Sequence, residues 1–472
     1  MIFNSGVFLA FFVAFYVLYW FINQRGTVTI RNIFLLLSSY IFYGYWDVRF
    51  LALIAASSLL DFFLAHKISE STSAKTRKRL LFLSVAFNIG LLAGFKYLNF
   101  FIEGLSHLFT TVGIPHSLTT LSIILPVGLS FYTFQTLSYT IDVYNKNILP
   151  EKKLLSFMSY VSFFPQLVAG PIERASDMLP QFAEKKIFNK VGFASGCRLI
   201  LWGLFLKVVI ADNMGIIADS FLEINVFNGT AALVGTLAFS FQIYGDFAGY
   251  STIAIGLGQL LGFSLSDNFR SPYFSARLRE FWQRWHITLS TWFRDYVYIP
   301  LGGSRFSNYI NARNILITFG LSGLWHGNNL TFAIWGLGHG ILLIAERRFV
   351  KSNETKWFHS LVVFILVTLL WIPFRAESVS HMMSIASSIS NFSSYSSLVS
   401  SRLGFNTAWF VTLLLLVVLW MLVERRLLNM RFDHWLNCFT PAKRYVVYFA
   451  LILVILVFGQ LSIKPSFIYF QF

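Results

Sequence analysis

Apolar and polar positions alternate along the chain as long apolar runs parted by short polar connections. The runs cover residues 3–22, 30–46, 49–66, 80–102, 122–145, 193–213, 230–262, 312–346, 357–375, 404–423 and 445–463. A helix that crosses a bilayer needs roughly 20 apolar residues, so the pattern predicts about eleven transmembrane helices. Two further stretches, 156–170 and 281–301, are short or laced with charge and predict re-entrant or interfacial segments. The fold class is therefore all-α, a polytopic integral membrane protein. The opening MIFNSGVFLAFFVAFYVLYWF has no basic leader and no small-residue cleavage site, and reads as a retained first helix. The Ser-rich stretch 384–401 reads as an external loop or an amphipathic surface segment, because Ser and Asn bond their own backbone.

Composition removes the soluble alternatives. Only 12% of the 472 residues are charged and 56% are hydrophobic, whereas soluble domains are nearer a quarter charged. The 53 phenylalanines suit lipid-facing helices and interfacial belts. A net charge of +16 would suggest nucleic acid in a soluble protein, but here the cations sit in alternate loops. Arg25 and Arg31 flank the first connection; Lys67, Lys75, Arg77, Lys78 and Arg79 fill the loop after the third run; Lys146, Lys152 and Lys153 follow the fifth. The connections around Asp47 and over 103–121 carry almost no basic charge. This alternation predicts an external N-terminus, cytoplasmic loops at 264–313 and 424–444, and external segments at 214–229, 376–403 and after Lys464. No nucleic-acid partner is expected. The run 312–346 is basic at both ends (Arg313; Arg347, Arg348 and Lys351), which predicts a hairpin bent near Gly327. Cys197 and Cys438 offer neither a disulfide framework nor a metal-site spacing.

Four segments carry candidate chemistry. In LSGLWHGNNLTFAIWGLGHG (321–340), His326 stands at membrane depth beside Gly323 and Gly327. A neutral imidazole there is costly without a task or a partner, and is able to take a proton from a hydroxyl. The plainer alternative is a structural histidine bonded inside a helix bundle; for His339 that plainer reading, a satisfied packing histidine near the cytoplasmic end, is preferred.

In RLREFWQRWHITLSTWFRDYVYIPLGGSR (277–305), Phe281, Trp285, Leu289, Trp292 and Tyr296 recur at helical spacing. They predict one helix lying in the headgroup plane, with Arg277, Glu280 and Arg284 on another face and a turn at Pro300, Gly302 and Gly303. Its arginines suit either lipid phosphate or the phosphates of a cytoplasmic acyl donor. His286 is either a second catalytic or positioning residue or a part of that helix.

YVSFFPQLVAGPIERASDMLPQF (160–182) cannot form one straight helix through Pro165, Gly170, Pro171 and Pro180, and is a candidate cavity wall with Glu173 and Arg174 at its cytoplasmic rim. In FQIYGDFAGYSTIAIGLGQLLGF (241–263), Asp246 is an intramembrane carboxylate, either functional or held by neighbouring Tyr and Arg side chains. Gly245, Gly249, Gly256 and Gly258 permit tight helix packing there.

Together these segments resemble the membrane-bound O-acyltransferase superfamily, from MIFNSGVFLAFF to FIYFQF. The ordered set FFPQLVAGPIER, YGDFAGYSTIAIG, NFRSPYFSARLREFWQRWHITLSTWFRDYVYIPLGG and SGLWHG carries the resemblance. It is most similar to the bacterial branch that O-acetylates exported polysaccharides such as alginate and peptidoglycan; the D-alanylating branch is a neighbour. The resemblance implies a single membrane domain of helices around a central tunnel, in which 1–145, 146–346 and 347–472 form N-terminal, catalytic and C-terminal parts. It implies that His326 is the catalytic histidine and His286 the second one. Arg284, Arg294, Trp285, Trp325, Asp246 and Asn328 are then candidate substrate contacts. Ala248 and Thr252 stand where the family pattern has Ser and Asp, which counts against catalysis by that helix. No bound cofactor is implied. Acetyl-CoA or another acyl thioester is the donor, membrane lipids surround the chain, and an extracytoplasmic acetyltransferase or polysaccharide-modifying protein is the partner. A transporter built from broken helices is the rival class, against which stand the lack of any visible internal repeat and the concentration of polar residues around one histidine.

Overall fold

The structure, a computed structural model, describes residues 1–121, 123–168, 170–222, 228–349, 357–395, 407–461 and 468. The described residues are helical or irregular, with no strand among them. Parts of three expected external segments fall outside the described residues: 223–227, 396–403 and, apart from Ile468, the tail after Lys464. The chain forms two compact units.

The first unit is Met1–Phe193 with Leu257–Ser266. It contains α1 (Gly6–Arg25), α2 (Val28–Gly44), α3 (Leu51–Glu70), α4 (Ala74–Val112), α5 (Leu129–Tyr144), α6 (Leu154–Ser162), α7 (Phe164–Leu167) and α8 (Ala175–Ala183). Hydroxyl caps start several helices: Ser5 accepts from the Phe8 amide at 3.2 Å, Thr27 from Ile30 at 3.3 Å and Ser73 from Thr76 at 3.4 Å. A polar seam runs inside α3, α4 and α5, where buried Asp61 accepts from Ser84 and from Asn88 at 2.8 Å. The proline-rich segment is broken as expected, into α6, α7 and α8. Phe163, Phe164 and Leu167 fill the core of the unit, and Glu173, expected at the cytoplasmic rim, is buried and accepts from the Ser266 amide. Arg31 also differs from the expectation of a loop charge. It is buried and donates to the Phe182 carbonyl at 2.7 Å and to that of Glu184. Its role is to satisfy the end of α8.

The second unit is Ala194–Gly256 with Asp267–Phe472. Its helices are α9 (Lys190–Leu204), which runs through a π-helical stretch Phe205–Ala211 into α10 (Asp212–Leu222), then α11 (Gly229–Leu260), α12 (Leu278–Arg284), α13 (Ile287–Phe293), α14 (Asn308–His326), α15 (Leu330–Phe349), α16 (Trp357–Arg375), α17 (Val379–Ser390), α18 (Thr407–Arg426), α19 (Phe432–Asn437) and α20 (Pro441–Phe458). Tight packing at Gly249 is real: a Cβ there would come within 2.8 Å of the Gly203 carbonyl. α10 takes up residues 214–222, so less of that connection is loop than the apolar pattern suggests.

Among the described residues, seven helices are long and apolar enough to cross a membrane, so the chain is a multi-span membrane protein. Two of the eleven predicted runs form helices of fewer than 18 residues, α2 with 17 residues and α5 with 16. α11, α14 and α15 are long but lie outside the seven, because residues such as Asp246, Asn311 and Asn314 dilute them.

Candidate active site

The bend expected near Gly327 is present. α14 ends at His326, and α15 begins at Leu330 after a three-residue turn. The two helices cross with almost no side chain between them: a Cβ on Gly323 would meet the Phe332 carbonyl oxygen at 2.3 Å, and one on Gly336 the Phe319 oxygen at 2.2 Å. That close crossing sets His326 among Trp325 (ring centroids 4.7 Å apart), Trp335 (4.9 Å) and Phe374 (5.1 Å). The imidazole is 4% exposed.

His286 comes to the same cluster, with its ring 6.3 Å from that of Trp325. The long interfacial helix expected over 281–296 does not form. It breaks at Trp285–His286 into α12 and α13, and Phe281, Trp285 and Leu289 are core residues rather than a face in the headgroup plane. His286 adopts a left-handed backbone, φ 40° and ψ 56°, which costs an L-residue of order 1–3 kcal/mol unless its surroundings impose it. The imposing contact is Asn268, whose Oδ1 lies 3.1 Å from His286 Nδ1. The expected turn after the helix is present, with Gly302 at φ 108° and Gly303 at φ 57°. His286 is 1% exposed, and burial pushes its imidazole down to about 3, so it is neutral at physiological pH.

Beside Asn268 opens a cavity of about 750 Å³. Its buried lining includes Tyr244, Ser251 and Asn268, and the rest includes exposed Arg270 and half-buried Arg284 and Arg431. Each arginine is paired with a carboxylate: Arg270 with Asp267 at 3.0 Å, Arg284 with Glu280 at 2.8 Å and Arg431 with Asp433 at 2.9 Å. The result is a rim of arginine–carboxylate pairs beside an aromatic and hydroxyl-bearing interior.

Comparison with known proteins places the chain in a family. The membrane-bound O-acyltransferase family profile matches residues 151–372. Over 386 residues the chain is 40% identical to the probable alginate O-acetylase AlgI of Pseudomonas putida, covering 80% of this chain and 78% of that one. Over 415 residues it is 36% identical to the peptidoglycan O-acetyltransferase of Helicobacter pylori, covering 80% and 77%. The chain belongs to the membrane-bound O-acyltransferase family. It is an O-acyltransferase. The similarity to the teichoic acid D-alanyltransferase of Bacillus subtilis is lower, 28% over 263 residues and 52% of this chain.

Within this acyltransferase the expected site residues divide. His286, Trp325 and His326 form one cluster, and Arg284 lines the cavity beside it. Trp285 is a core residue stacked on Phe281 at 5.5 Å, adjoining Tyr244 and Phe269 of the cavity wall. Arg294 is paired with Asp295 and its side chain is 58% exposed. Asn328 is exposed in the turn after His326.

Asp246 is held by a lysine, not by the Tyr and Arg expected: Lys207 Nζ lies 2.7 Å from Asp246 and 2.7 Å from Asp212. The sequence reading passed over Lys207, although a lone lysine in LWGLFLKVVIAD is the signal that marks an intramembrane charge. It also passed over Asn268 and Arg431, which no periodicity distinguishes. His339 is buried but is not the hydrogen-bonded packing residue expected; among the described residues neither ring nitrogen has a hydrogen-bond partner, and the ring packs on Trp282 at 4.9 Å and Trp335 at 5.1 Å. Among the described residues no group of His, Cys, Asp and Glu is arranged to hold a metal ion.

Proposed function

We propose that this acyltransferase moves an acetyl group from acetyl-CoA on the cytoplasmic side to a hydroxyl reached from outside, for O-acetylation of an exported polysaccharide. The observation that carries the reading is the cavity that joins Arg270, Arg284 and Arg431 to Asn268, the hydrogen-bond partner of His286, next to the His286–Trp325–His326 cluster. Arginines at the mouth suit the donor's phosphates. A cavity of this size is in the range that holds a small organic ligand. The names of the relatives, an alginate O-acetylase and a peptidoglycan O-acetyltransferase, support acetyl as the group and an exported glycan as its destination.

In the reaction the acceptor oxygen attacks the thioester carbonyl carbon while the neutral imidazole of His326 takes the hydroxyl proton. The C–S bond then breaks. The departing thiolate recovers the proton from the imidazolium, which leaves an ester and a free thiol. His286, in the same cluster, orients the donor by accepting a hydrogen bond from one of its amide N–H groups, and exposed Asn328 is suited to the acceptor side. An extracytoplasmic partner protein delivers the acetyl group to the glycan. The enzyme sits in a bacterial inner membrane with both termini outside and the 264–313 loop in the cytoplasm, a reading supported by the alternation of Lys and Arg.

Protein purified in detergent should cleave acetyl-CoA. Arg284→Ala should raise KM for the donor several-fold with little change in kcat, as loss of ground-state binding does, while Arg294→Ala changes KM less. Absence of acetyl-CoA cleavage by well-folded protein would remove the donor reading.

A further inference from the structure

Asn268 sits in the extended segment after α11, 1% exposed, between the cavity and His286. Its own backbone is pinned there, since its carbonyl accepts from the Ile287 amide at 2.9 Å. Its side-chain oxygen meets three groups: His286 Nδ1 at 3.1 Å, the Thr288 hydroxyl at 2.9 Å and the Thr288 backbone amide at 3.3 Å. Its amide nitrogen donates to Ser251 at 3.1 Å. The two ends of an asparagine amide are told apart only by their partners. Here a backbone N–H, which can only donate, faces one end, so that end is oxygen. An oxygen cannot donate to imidazole, so the proton is on His286 Nδ1. In a neutral imidazole the lone pair is then on Nε2.

We infer that Asn268 is the positioning residue of His286: it fixes the Nδ1–H tautomer and thereby makes Nε2 the basic atom that the site presents. The inference rests on the reading of His286 as part of the active site. It accounts for the left-handed backbone at His286, which no local sequence feature asks for and which turns the ring onto Asn268. The cavity wall and the histidine thus share one residue, so a donor seated against Ser251 and Asn268 lies next to an imidazole already in its working tautomer.

The charged groups on the elements around His286 are engaged elsewhere. Asp246 on α11 is paired with Lys207, Asp267 with Arg270, and Arg284 on α12 with Glu280; on α14, His326 packs on the Trp325 ring, which also neighbours His286. A new charge at position 268 would therefore act on His286 directly.

The test compares Asn268→Ala, Asn268→Asp and His286→Ala by kcat, donor KM and pH–rate profile. Asn268→Ala should lose about 10–100-fold in kcat, by analogy with groups that orient a metal-bound imidazole, with a smaller change in donor KM. Asn268→Asp keeps an acceptor oxygen for all three donors but favours the imidazolium, so the acidic limb of its profile should move up by about 1–3 pH units, with activity recovering above it. A packing role would leave that limb in place. If Asn268→Ala fails to fold, the Asp variant alone decides. Wild-type profiles in the Asn268 variants beside an inactive His286→Ala would overturn the positioning role only. Wild-type turnover in His286→Ala would remove the reading of that histidine and this inference with it.

Discussion

Lys207 meets two carboxylates inside a π-helical stretch where its neighbours are Leu206 and Val208, and all three groups are buried. Removing one partner of a buried ion pair strands the others, at a cost of about 3–5 kcal/mol. Lys207→Met should therefore unfold well below the wild type in a detergent melt, and adding Asp246→Asn and Asp212→Asn should return most of the loss. A single Lys207→Met with an unchanged melting temperature would mean the triad adds nothing to stability. At this scale the sequence is informative where a residue type is out of place. A histidine between glycines, or a lysine among leucines, stands out in one chain. Asn268 does not, because an amide in a polar connection is ordinary until folding brings it to Oδ1–Nδ1 distance of His286.

Among the elements, long apolar helices were the most legible, and α16 occupies the residues that the apolar run predicts. The region 281–301 was misread for a physical reason. Its aromatic spacing fits one helix, but tertiary contacts of His286 and Trp285 override that periodicity and turn an apparent surface face into core. The α14–α15 hairpin was legible as a bend, and its glycines explain how the bend is held. Gly336→Ala places a methyl within 2.2 Å of the Phe319 carbonyl oxygen, which only a separation of the helices relieves. We expect a loss of about 1–3 kcal/mol, together with a fall in turnover, since His326 rides on the same hairpin. Measured stability and activity that both match the wild type would show that the crossing tolerates a wider gap.

On the scale of the whole molecule, we expect charge to set the orientation. α4 has 39 residues, about 58 Å at the α-helical rise and longer than the hydrocarbon core. Its basic end, from Lys75 to Arg79, and its nearly uncharged far end therefore belong on opposite sides. A reporter fused after Arg79 should be cytoplasmic and one fused within 103–121 external. The reverse result at both sites would invert the orientation and the donor side with it. Buried Arg31 contributes a carbonyl contact rather than a loop charge, so the bias rests on the exposed cations.

The most direct test of the central claim, that acyl transfer runs through the cluster at His326, is turnover and thermal stability measured on the same preparation of His326→Ala. Loss of a general base lowers the rate by about 10²–10⁴. Loss of a structural buried histidine instead costs stability, about 1–3 kcal/mol, through the partners it leaves behind. The account predicts a folded, membrane-inserted variant with a near-wild-type melting temperature and turnover reduced at least about 100-fold. A well-folded variant that keeps more than about a tenth of wild-type turnover, below the loss expected for a general base, would contradict it.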